Sequence, residues 1–237
     1  MRNTLASLLA FFSFTLCALA WAVELPVEGL QLAEVTINSS DVASIKRGAS
    51  FFATNCLSCH TLVYLRYDKL AHEAGITYEK MPINVKNWPN GVTPPDLSLE
   101  ANVRGVDWVY TYLHSFYQDS TQPMGVNNLL VPNTAMPGIV VPYQGEQVRV
   151  EHPIEDWLHH MRWYDVLKLT KQGSMTPEQF DATMTDLVNF LAYAAEPYRA
   201  EQHAIGWWVL AFLVVLFVLM YLLKREYWKD VKKHRRE

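Results

Sequence analysis

Apolar residues crowd the two ends of this chain and recur at helical spacing between them. Leu5 to Ala20 and Gly206 to Leu223 run without a charge. In the interior, Val42, Ile45, Ala49 and Phe52 mark one face of a helix that starts near Ser40 or Asp41, both good N-caps, and runs directly into Cys56. Gly48 lies on that helix, where glycine costs about 1 kcal/mol against alanine. A second helix crossing closely would explain it. Val103, Val106, Val109, Tyr110 and Leu113 predict another helix. A further one opens at Thr176, with Pro177 in the first turn and Gln179 three residues on, the pattern of a capping box. Phe180, Met184, Leu187, Val188, Leu191 and Ala195 form its stripe, and Pro197 stops it. Residues 83–98 and 122–144 are rich in proline and read as loops. There is little strand signal and no internal repeat, so the fold is expected to be mainly α with long loops.

The two terminal runs differ in kind. Arg2, a short apolar stretch and small residues at Ala18, Ala20 and Ala22 describe a signal peptide over residues 1–22, although an N-terminal anchor of near-minimal length fits the same stretch. The run at 206–223 is long enough to cross a bilayer as a helix. Trp207 and Trp208 stand at its start, and Tyr221, Tyr227 and Trp228 at or beyond its end, as interfacial aromatics do. A basic tail follows over 224–237. By the positive-inside rule the tail is cytoplasmic and residues 23–205 lie outside.

Charge sharpens this division. The formal net charge of −4 conceals 12 Lys and Arg against 21 Asp and Glu between Val23 and Ile205, whereas the tail has 7 basic and 3 acidic residues. An acidic exterior domain attracts basic partners and speeds their encounter; solubility alone accounts for the same balance. Nucleic acid is not an expected partner. His152, His159 and His160 cluster in sequence, but no cysteine or carboxylate pattern completes a zinc site, and they read as surface residues.

The chemistry sits in Cys56-Leu57-Ser58-Cys59-His60. Cysteines two residues apart can reach both vinyl groups of one haem from a single turn and form thioethers, and the next histidine can offer the iron a nitrogen. Of the 3 cysteines, Cys17 would leave with the signal. The remaining pair could instead form a disulfide or a redox dithiol, but neither use needs His60.

A histidine on one side of the iron leaves a sixth position that decides function. A methionine there gives a closed site suited to electron transfer and raises the potential. Met184 is on an apolar stripe, Met220 is in the span, and Met161 and Met175 are in or beside a charged stretch. Met81, Met124 and Met136 remain, the last two in proline-rich loops. Met136 is the better candidate, with small residues before it and Pro137-Gly138 after it.

Taken in order, Arg47-Gly48, the cysteine–histidine motif, Tyr64, Tyr67, Pro94-Pro95-Asp96-Leu97-Ser98, Arg104-Gly105, Ala135-Met136-Pro137 and Ala194-Ala195-Glu196-Pro197 before a single span resemble the cytochrome c1 family. The resemblance covers the whole mature chain. It implies a cytochrome c-like helical haem domain with one C-terminal transmembrane helix, one covalent haem c on Cys56 and Cys59, His60 and Met136 as axial ligands, and Arg104 near a haem propionate. It implies electron transfer without a catalytic site of its own, from an iron–sulfur (Rieske) subunit to a soluble or tethered cytochrome c, beside cytochrome b in a dimeric complex. The place would be the bacterial inner membrane, with the haem domain in the periplasm. Two departures stand out: residues 81–94 are short against mitochondrial members, and residues 143–171 are long.

Overall fold

A computed structural model describes residues 30–83, 85–88, 91–150 and 161–234 of the chain. The signal-peptide stretch, the histidines at 152, 159 and 160, and the last three residues of the basic tail lie outside the described residues. In chain order the elements are β1 (Leu30–Gln31), α1 (Val42–Asn55), α2 (Lys69–Glu73), α3 (Glu100–Val103), α4 (Val106–His114), β2 (Phe116–Gln118), β3 (Val126–Asn128), α5 (Val141–Gln144), β4 (Gly145–Arg149), β5 (Met161–Arg162), α6 (Trp163–Val166), β6 (Leu167–Gln172), α7 (Pro177–Ala195) and α8 (Arg199–His234). They fall into two compact units, one built around residues 34–110 and 174 onward, the other around 111–173 with the strand β1.

The first unit is held by α1 against α7. Asp41 caps α1 by accepting from the Ser44 amide, and Thr176 and Gln179 close a reciprocal capping box on α7. The apolar stripes read from sequence face each other except at Val42, which opens α1 and is 54% exposed: Ile45, Ala49 and Phe52 are buried, as are Phe180, Met184, Leu187, Val188 and Leu191. The Phe52 and Phe190 rings meet at 5.7 Å. Between them, buried Asn189 donates to the Asn38 carbonyl and to the Ser44 hydroxyl. Gly48 marks the crossing, since a β-carbon there would collide with the Asp186 backbone and lie 2.8 Å from the Phe190 Cβ.

The helix expected through Val103 to Leu113 is two helices. Gly105 stands at φ +92°, the left-handed conformation that ends α3, and α4 begins immediately after it. The break rotates Val103 off the core, leaving it 74% exposed, while Val109 and Leu113 are buried. Apolar periodicity ran across a stop signal that Arg104-Gly105 carries.

The second unit adds short strand pairs to this mainly helical fold. β2 and β3 pair antiparallel, β4 and β6 pair antiparallel with a bulge at Glu146/Gln147, and β1 pairs parallel with β5. Each sheet has two strands, most too short for alternation to register over 4–8 residues. Gln147 fastens the turn from α4, donating to the carbonyls of His114 and Phe116.

Beyond Glu196, α8 runs for 36 residues, longer than the 18-residue run read from sequence. It holds a candidate span, Glu201–Lys229, whose apolar window contains no buried residue. At 1.5 Å per residue it exceeds the roughly 30 Å of a hydrocarbon core. An exposed apolar surface of this length needs lipid around it, and α8 is a membrane anchor.

Candidate functional site

The site begins where α1 ends. Cys56 caps the helix, its amide still bonded to the Phe52 carbonyl, and the amides of Cys59 and His60 both bond back to the Cys56 carbonyl at 3.0 and 2.8 Å. This closes one further turn that carries both cysteines. Leu57 points into the core and Ser58 outward, so the two thiols are half-buried and free. Burial and the neighbouring Cys59 push the Cys56 thiol up to about 12. A redox dithiol needs the opposite, a depressed thiol.

His60 is fixed by the proline-rich loop. Its Nδ1 lies 2.9 Å from the Pro95 carbonyl oxygen. A carbonyl only accepts, so Nδ1 carries the proton and Nε2 is left with its lone pair. Burial lowers the His60 pKa, an effect only partly offset by the Pro95 bond, which favours the neutral ring that can ligate a metal.

Asp96 holds the loop that presents Pro95. One carboxylate oxygen accepts from the Thr61 hydroxyl at 2.5 Å and the Val63 amide at 3.0 Å; the other accepts from the Ser98 amide at 3.0 Å. The Leu97 amide donates to the Thr61 carbonyl, and the Tyr64 amide to the Ser98 hydroxyl. Burial alone would raise the Asp96 pKa, but the hydrogen bonds from Ser98, Thr61 and Val63 outweigh it and hold the carboxyl below its ordinary range. The Pro94–Ser98 string was legible as a motif; its use as the brace for His60 was not, because that depends on a contact spanning 35 residues.

Arg104 closes α3. Its Nε pairs with Glu100 at 3.3 Å and its guanidinium lies 4.7 Å from the Trp108 ring centroid, with the side chain 45% exposed. Tyr64 and Tyr67 are exposed, the latter under Arg66.

Met136 belongs to the second unit. Two adjacent asparagines shape its loop. Asn127 accepts from the amides of Asn128 and Asn133, and Asn133 takes the left-handed conformation at φ 59°. Buried Asn128 accepts from the Ser115 hydroxyl and the Leu130 and Val131 amides, and donates to the Tyr112 carbonyl. Met136 emerges half-buried, its sulfur 3.5 Å from the Tyr112 hydroxyl. The rival Met124 is exposed near the end of the β2–β3 loop, and Met184 is fully buried core.

The donor set fits a covalently held haem: two free thiols on one turn and a neutral imidazole anchored through Nδ1, with the Nε2 lone pair left over. Among the described residues no group of three or more His, Cys, Asp and Glu side chains is placed to hold a bare metal ion.

Comparison with known proteins agrees. Residues 83–231 match the model of the cytochrome C1 family, a stretch that excludes the cysteine–histidine motif and is therefore independent of it. The chain is 41% identical over 223 residues to cytochrome c1 of Allochromatium vinosum, covering 86% of this chain and 91% of that one. It is 33% identical over 229 residues to the ammonia monooxygenase gamma subunit of Nitrosomonas europaea, covering 85% and 89%. It is 25% identical over 252 residues to cytochrome c1 of Blastochloris viridis, covering 81% and 83%. With the anchor helix α8, these likenesses define the class as membrane-anchored c-type cytochromes that transfer electrons. Within that class the chain belongs to the cytochrome c1 family, whose members carry one covalently bound haem c and serve as the redox subunit of the bc1 complex.

Proposed function

We propose that Cys56 and Cys59 hold the haem through thioethers, that His60 Nε2 and Met136 Sδ are its axial ligands, and that Arg104 pairs with a propionate. The observation that carries this is the His60 Nδ1–Pro95 bond, which leaves Nε2 as the ligating nitrogen. Haem bound there supplies a one-electron couple. The chain contributes attachment, a braced imidazole and a sulfur held in a rigid loop. The Trp108 ring and Glu100 keep the Arg104 guanidinium extended for a charge-assisted bond to a carboxylate.

The protein takes one electron from a Rieske iron–sulfur subunit and passes it to a soluble or tethered cytochrome c, in a dimeric assembly with cytochrome b. The relatives named cytochrome c1, one of them cytochrome b/c1, support that company. Residues 1–22 are a cleaved signal, 23–205 a periplasmic haem domain, 206–223 the heart of the span, and 224–237 a cytoplasmic tail. The run from Lys224 through Arg236 supports the orientation. The whole sits in the bacterial inner membrane.

Purification in mild detergent tests this: b-type haem and an iron–sulfur signal should co-elute with the chain. The relative named as an ammonia monooxygenase subunit favours a second reading, in which the same anchored haem domain serves a monooxygenase. Co-elution with a monooxygenase activity and no b-type haem would select that reading. Elution of the haem protein alone would overturn both.

A further inference from the structure

We infer that the Tyr112 hydroxyl, by donating a hydrogen bond to the Met136 sulfur, sets how strongly that sulfur donates to iron. The inference rests on the reading of Met136 as an axial ligand and goes on to name the residue that tunes it.

Three contacts join three residues in a ring. The Met136 amide lies 3.3 Å from the Thr134 hydroxyl oxygen, that oxygen lies 3.0 Å from the Tyr112 hydroxyl, and the Tyr112 hydroxyl lies 3.5 Å from the Met136 sulfur. Each hydroxyl has one proton to give. One ordering serves all three contacts: the Met136 amide donates to Thr134, Thr134 donates to Tyr112, and Tyr112 donates to the sulfur. The chain of donors starts and ends on the same methionine, and each bond polarises the next.

The surroundings hold the phenol in that position. Its ring packs edge-on against Phe116, centroids 5.2 Å apart and planes at 70°. The Tyr112 carbonyl accepts from the Asn128 side chain at 2.8 Å, and Thr134 is buried. A thioether is a weak acceptor. A tyrosine proton brought to one inside a half-buried loop is therefore a feature to account for.

A proton on the sulfur withdraws electron density from it and weakens its donation. The ferric ion depends on that donation more than the ferrous ion does, so the hydrogen bond raises the reduction potential; hydrogen bonding around an axial ligand is one of the levers a protein has on haem. Tyr112 is thus a tuning residue acting through Met136. Threonine and tyrosine at these positions carry no signal in the sequence, since 22 residues separate Tyr112 from Thr134.

The test uses the full-length, haem-loaded protein in membranes. Tyr112→Phe keeps the ring and removes the proton. The low-spin spectrum should persist, with the midpoint shifted to lower potential, so that at the wild-type midpoint the ferric-to-ferrous ratio rises about three- to tenfold, the size of one net hydrogen bond made to a single oxidation state. Thr134→Val should shift the midpoint the same way by less, and it carries the test if Tyr112→Phe fails to load haem. A midpoint unchanged in both variants overturns the inference, provided Met136→Ala abolishes the far-red band of methionine-ligated ferric haem. If Met136→Ala leaves that band intact, the ligand assignment itself falls, and the tuning role with it. A merely structural Tyr112 would scatter the spin state without a uniform shift of the midpoint.

Discussion

A β-carbon on Gly48 would lie 2.8 Å from the Phe190 Cβ and closer still to the Asp186 carbonyl, so α1 and α7 touch at glycine. Gly48→Ala therefore forces the backbones apart. Overpacking of a well-packed crossing costs about 1–3 kcal/mol, and a loss of about 2 kcal/mol is expected in chemical denaturation of the haem-loaded protein. The helical gain of alanine over glycine, about 1 kcal/mol, would be visible instead if the crossing were loose.

Asn128 is buried and makes four hydrogen bonds in the loop system that ends at Met136. Asn128→Ala leaves the Leu130 and Val131 amides without their acceptor, while the Ser115 hydroxyl turns to the Tyr112 carbonyl 3.2 Å away. Each unsatisfied buried group costs about 1–3 kcal/mol, so a loss of about 2–4 kcal/mol is expected. Because this loop presents the methionine, the far-red methionine band should weaken before haem is lost. A stable variant with an unaltered band would separate Asn128 from the ligand loop.

How much of this was legible in advance divides along chain separation. Caps, the Thr176 capping box, the stripes of α1 and α7 and the glycine crossing are local patterns or consequences of them, and all are present in the structure. Cys56-x-x-Cys59-His60 is local too, so the turn that carries both thiols could be read directly. The stop at Gly105 was missed because apolar spacing continued through it. The two-residue to six-residue strands were missed because their partners lie elsewhere in the chain. The Asp96 brace and the Tyr112–Thr134–Met136 ring are tertiary hydrogen bonds between residues of ordinary type, which no spacing announces.

Asp119 gives a pH dependence. Hydrogen bonds from the side chains of Thr121 and Asn127 and from the Thr121 amide hold its carboxyl below the ordinary range. A carboxyl with a depressed folded pKa adds stability that is fully present above its unfolded value, near pH 4, and is lost as pH falls through the folded value below it. Wild type should therefore exceed Asp119→Asn in stability by a constant margin from neutral pH down to about 4, and the margin should shrink beneath that. A margin that grows on acidification would reverse the sign of the effect.

The anchor makes a simple fractionation experiment. A chain stopped after Pro197 retains α1 through α7 and lacks the exposed apolar window at Glu201–Lys229. It should move from the membrane to the soluble fraction with the same haem spectrum. Retention on the membrane would place a second attachment surface on the haem domain.

Covalent attachment at Cys56 and Cys59 is the claim on which the rest depends. Mass spectrometry of the denatured chain, purified from a host able to attach haem c, measures it directly. The mature chain should carry the added mass of one haem that survives acid–acetone extraction, and the added mass should vanish when both cysteines are replaced by alanine. A chain of unmodified mass, or haem that extracts freely from the wild type, would refute the assignment.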